Sequence, residues 1–149
     1  MEPSKIAEMT DKKALRNLMT NARRLGREDV YWLAFRRRCS LEGMSIDEPL
    51  ERDFFDMLNA YEELLTEKNG RTTKASRTRQ KLKNKGVEQC LIDWALGPPT
   101  EGFKLLVENG LAELTAEYLV VKHKGRFPTE VVEAANKRLL DFRAIRVEE

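Results

Sequence analysis

The chain has 149 residues, 41% hydrophobic and 35% charged, with a net charge of +2. That balance supports a folded domain with a heavily charged surface and excludes an intrinsically disordered chain. No apolar run approaches the ~20 residues of a membrane helix, and the opening MEPSKIAEMTDKK lacks the apolar core of a secretory signal, so the reading is of a cytosolic protein with no membrane partner.

Helical periodicity runs through almost the whole sequence. After Thr10 and Asp11, both able to cap a helix, Leu15, Leu18 or Met19, Ala22 and Leu25 recur every three to four residues, and Gly26 stops the segment. A second helix is predicted from about Asp29, with Val30, Tyr31, Ala34, Phe35 and Leu41 on a face and Gly43 at its end. The turn between the two is short, so they are expected to pack as an antiparallel hairpin. In the third helix Ser45 and Glu48 have capping-box spacing, Asp47 is a rival cap, and Pro49 falls in the first turn. Leu50, Phe54, Met57 or Leu58, Tyr61 and Leu64 or Leu65 then form a seam that Asn69-Gly70 breaks. Its outer face carries Glu51, Asp53, Asp56, Glu62, Glu63 and Glu67 and is expected to be solvated.

Next comes RTTKASRTRQKLKNKG, Arg71 to Gly86, with seven Lys or Arg, no Asp or Glu, and one large apolar residue, Leu82. Ser76 or Thr73 can cap a helix from about Arg77 to Lys85. With almost no apolar seam, it is expected on the surface and frayed when alone. Val87, Cys90, Leu91, Trp94 and Ala95 give a compact amphipathic helix stopped by Gly97-Pro98-Pro99. Thr100 begins another, with Phe103, Leu106 and Val107 inward and Asn109-Gly110 at its end. Leu114, Tyr118 and Val121 favour helix in the next stretch, against a short strand or hairpin near 118–127 suggested by Tyr118-Leu119-Val120-Val121. Pro128-Thr129 introduces a last helix with Val131, Val132, Ala135, Leu139 and Phe142 on one face. The fold class is therefore all-α, a small multi-helix domain. Residues 1–70 are expected to form a three-helix unit, 71–86 the basic segment or surface helix and 87–149 a second helical unit, with packing of all three as one domain the alternative.

Charge is segregated along this framework. Residues 1–40 carry net +5, 41–70 net −7, 71–86 net +7, 87–121 net −5 and 122–149 net +2. Such blocks create local fields although the total is small. Cys39 and Cys90 sit among apolar neighbours and read as buried free thiols.

The residue types that chemistry requires are scarce. There is one histidine, His123, and no CxxC, phosphate-cradling loop or GxSxG elbow. Carboxylates of the third helix, Asp53, Asp56, Glu63 and Glu67, are the remaining metal-binding candidates. A metal-dependent nuclease using Asp53, Asp56 or Glu63 is the weakest of three readings, and no cofactor is expected.

The leading reading is a non-catalytic nucleic-acid-binding protein, with DNA ahead of RNA. Like charges at i,i+4, such as Arg77 with Lys81 and Arg79 with Lys83, repel on a merely solvated helix. Arg71, Lys74, Arg77, Arg79, Lys81, Lys83 and Lys85 are candidates for phosphate contacts. Thr73, Ser76, Thr78 and Gln80 are placed to position the backbone or touch bases. Arg36, Arg37 and Lys124 extend the set. Read as a helix-turn-helix, Thr73 to Leu96 fits poorly: the second helix carries Glu88 and Asp93 and no Lys or Arg. The alternative is a protein–protein adaptor or homodimer whose charge blocks pair with a partner, or with each other inside the chain.

One stretch, NARRLGREDVYWLAFRRRCSLEG, residues 21–43, resembles helical segments beside nuclease domains in bacterial restriction-type proteins. The resemblance implies an accessory DNA-binding or partner-binding domain and assigns no catalytic residue.

Overall fold

The computed structural model describes residues 2–142. Among them are nine α-helices, two short 3-10 turns and no strand, so the fold is all-α. The helices are α1 (Pro3–Ile6), α2 (Lys12–Arg24), α3 (Glu28–Ser40), α4 (Pro49–Asn69), α5 (Ser76–Lys85), α6 (Val87–Leu96), α7 (Glu101–Glu108), α8 (Ala116–Lys122) and α9 (Thr129–Asp141).

Local chemistry explains most boundaries. The Asp11 carboxylate accepts the Lys13 and Ala14 N–H groups at 2.9 and 3.2 Å and starts α2. Leu15, Met19 and Ala22 turn inward, and α2 packs on α3 as a hairpin. Leu25, expected on that inner face, instead lies at the helix end and is 66% exposed. The capping box at Ser45 is also corrected. Because α4 begins at Pro49, Glu48 is itself the cap, accepting the Glu51 N–H at 2.7 Å, and Ser45 falls in the preceding turn. Gly70 closes α4 in the left-handed region at φ +70°, which suits glycine.

The region with competing readings is helical. A 3-10 turn (Ala112–Leu114), α8 and a second 3-10 turn (Lys124–Arg126) replace any strand or hairpin near 118–127. Thr115 caps α8 by accepting the Tyr118 N–H at 3.2 Å, and α8 buries Leu119 and Val120 while packing against α6 and α9. That packing overrides the β preference of the Val120-Val121 pair.

The 21-residue α4 is the spine. It packs against α3, α6, α7 and α8. Buried apolar side chains from Ile6 to Ala135 form one cluster, so the N-terminal and C-terminal units share a core across α4. Phe54 lies at its centre, fully buried and stacked on Trp94 at 5.9 Å. In α9, Val131, Ala135 and Leu139 are buried as expected, whereas Phe142 is 41% exposed and meets Phe103 edge-on at 5.1 Å. Cys39 and Cys90 are buried free thiols, and burial pushes the Cys39 thiol up to about 12. No helix among the described residues is long and apolar enough to cross a membrane.

Candidate nucleic-acid interface

The basic segment is ordered by carboxylates. Helix α5 buries none of its residues and packs chiefly on α6. Neither Ser76 nor Thr73 caps it: the position before its first residue is Ala75, whose buried N–H donates to Glu62 Oε2 at 2.9 Å. Thr73 instead pins the connection from α4. Its N–H donates to Thr66 Oγ1 at 2.9 Å and its hydroxyl to the Arg71 carbonyl at 2.9 Å.

Arg79 is the principal fastening. Its guanidinium holds Glu62 through Nε (2.7 Å) and Nη2 (2.8 Å), and Glu42 through Nη1 (3.1 Å) and Nη2 (2.9 Å). Two-point contacts of this kind are the strong form of the ion pair. Asn59 completes the cluster by donating to Glu42 Oε1 at 2.8 Å. Hydrogen bonds from Arg79 draw Glu42 below the ordinary carboxylate range. Burial pushes Glu62 up, but the bonds from Arg79 and the Ala75 N–H outweigh it and leave Glu62 lowered.

The acidic face of α4 is therefore only partly solvated. Glu62 and Glu63 are 4% and 6% exposed and sit beneath arginines. Lys74 Nζ lies 3.6 Å from Glu62. Lys81 and Lys85 reach Asp93 of α6 at 3.0 and 3.3 Å, and Lys81 also lies over the Trp94 ring. The Gln89 hydrogen bond, followed by those of the two lysines, brings Asp93 down to about 2.

Four of the seven segment cations, Lys74, Arg79, Lys81 and Lys85, thus have partners inside the chain. Arg71, Arg77 and Lys83 make no ion pair among the described residues. Arg77, Gln80, Lys83 and Asn84 are exposed, whereas Thr78 is half-buried and lines a cavity together with Tyr61 and Trp94. Ser76 is exposed at the first turn.

The proposed extensions separate. The three consecutive arginines of α3 fan around the helix and meet different partners. Arg36 pairs with Glu113, Arg37 Nε donates to the Met9 carbonyl at 2.7 Å, and Arg38 pairs with Glu63. Arg36 and Arg37 thereby hold the N-terminal segment and the 112–114 turn. Lys124 is exposed beside His123. His123 Nε2 and Lys122 Nζ lie 2.7 and 2.9 Å from Asp53 Oδ2.

The nuclease carboxylates are likewise dispersed. Glu63 takes Arg16 at 2.6 Å and also Arg38, while Asp53 takes Lys122 and His123. No group of three or more His, Cys, Asp or Glu that could hold a metal ion occurs among the described residues. Asp56 has a buried Oδ1 with no partner among the described residues, and burial, then the charge of Asp53, pushes it up to about 6. Between about pH 4 and 6 the folded protein holds a proton there that the unfolded chain releases, so stability falls as pH rises through this window. Asp56→Asn is expected to stabilise the protein by about 1 kcal/mol near pH 7 and by much less near pH 4, as read from urea unfolding at both pH values.

Glu42, Glu62 and Asp93 were not among the sequence candidates, although they decide which cations remain free. The available signal was the abrupt neighbouring of blocks with net −7 and net +7. Comparison with protein families, curated proteins and solved structures finds no match to this chain.

Proposed function

We propose that this is a cytosolic, non-catalytic nucleic-acid-binding protein, with duplex DNA the preferred ligand and the outward row of α5 as its contact surface. The observation that carries this reading is the two-sidedness of α5. Arg79, Lys81 and Lys85 fasten its inner side to carboxylates, and Arg77, Gln80, Lys83 and Asn84 are left exposed. A helix held in place beforehand presents cations and amides without the ordering cost of a free segment. Cations serve phosphate oxygens, and amides serve phosphates or base edges. Arg71 and the exposed end of Lys74 continue the row into the arm before α5. In this reading the 21–43 stretch belongs to an accessory DNA-binding domain, as its resemblance implies.

The test is fluorescence anisotropy with labelled duplex DNA, single-stranded DNA and RNA over a range of salt. Arg77→Gln with Lys83→Gln is expected to weaken binding about ten-fold and to reduce the salt slope by about two. Neither side chain has an internal ion pair among the described residues, so the double variant retains the fold. Equal binding by variant and parent rejects the α5 surface.

A further inference from the structure

A groove between α2 and the connection from α4 to α5 collects cations from three distant stretches. Lys12, Lys13 and Arg16 come from α2, Arg38 from α3 and Arg71 from the start of the basic segment. The neighbouring carboxylates are already engaged. Glu63, buried, takes both Arg16 and Arg38, and Glu67 takes Arg23 and the Tyr31 hydroxyl. Lys12, Lys13 and Arg71 are exposed and make no ion pair among the described residues. Two guanidiniums share one carboxylate, and Arg38 is lowered by burial and then by the charge of Arg16. The groove is thus over-supplied with positive charge. Arg16 and Arg38 are held in place by a buried anion, with exposed lysines beside them.

We infer that this groove is a phosphate-binding site that receives a backbone phosphate of the nucleic acid engaged by α5. The assignment rests on the nucleic-acid reading for the source of the phosphate, but not for its chemistry. Anchored guanidiniums offer forked N–H donors that match phosphate oxygens, and ammonium groups add charge without fixed geometry. The surplus exceeds what a single carboxylate would neutralise. Arg71 belongs both to the groove and to the arm of α5, so one phosphate chain can run from one to the other.

The full chain is compared with Lys12→Gln/Lys13→Gln, whose exposed side chains leave the Glu63 cluster untouched. Two measurements are made: thermal unfolding with sodium tripolyphosphate, and anisotropy with duplex DNA at several salt concentrations. The expected result is a tripolyphosphate-dependent rise in Tm that the variant loses. DNA binding should weaken about ten-fold in the variant, with a salt slope lower by about two. If tripolyphosphate stabilises only the parent but the parent binds no DNA at low salt, the nucleic-acid source is overturned and the groove stands as a site for free polyphosphate. If DNA binds parent and variant equally and tripolyphosphate has no effect, the groove assignment is overturned while the α5 reading stands. Stabilisation by poly-glutamate equal to that by tripolyphosphate overturns phosphate in favour of an acidic peptide.

Discussion

Replacing Arg79 by methionine should destabilise the protein by about 3 kcal/mol, near the lower end for breaking a buried ion pair because the arginine keeps some contact with water. The loss arises from what remains. Glu62 is 4% exposed and Glu42 only partly exposed, and both would lose a two-point cation. The double variant Glu62→Gln/Arg79→Met should lose less than Arg79→Met alone, since the uncompensated charge is halved. Urea unfolding of the single and double variants checks both statements. The same cluster gives a pH dependence. Glu42 and Glu62 are lowered in the folded protein, so their contribution is complete above the ordinary glutamate pKa of about 4.3 and fades as pH falls through the lower folded values. Acidification should therefore loosen α5, and Arg79→Met should remove that part of the acid sensitivity.

Phe54→Ala should cost about 3–5 kcal/mol, the usual range for emptying a phenylalanine site in a close-packed core. Phe54 is fully buried on α4, where the apolar cluster passes from the N-terminal to the C-terminal unit, and it stacks on Trp94 from α6. Its loss should lower the stability of both units together. Tryptophan fluorescence, from Trp32 in α3 and Trp94 in α6, and far-ultraviolet circular dichroism should follow one transition at a lower urea midpoint. Separate transitions by the two probes would show that the units unfold independently.

The helices were legible because their information is local. Asp11, Pro49, Gly70 and Thr100 mark boundaries through the backbone groups that they satisfy or release, and Phe54, Leu91 and Leu106 reveal buried faces by their spacing. Leu25 fitted the same periodicity but lies one residue past the end of its helix, where periodicity no longer sets direction. The interface was legible only in part. The basic segment stands out by composition, yet composition does not say that Arg79 points inward and Arg77 outward. That distinction depends on Glu42 and Glu62, which lie 37 and 17 residues away along the chain. The meeting of Lys12 and Arg71 depends in the same way on how α2 and α4 are brought together. Charge pairs across such distances leave no period in a sequence.

The two sides of α5 answer to different demands, which bears on how this protein changes over time. Substitution at 79 is expected to disturb folding, whereas 77, 80, 83 and 84 face water and carry no ion pair among the described residues. Mutations in that outer row can accumulate at little cost to the fold. On the proposed nucleic-acid reading, ligand preference can therefore be retuned in the outer row while the scaffold beneath it stays the same.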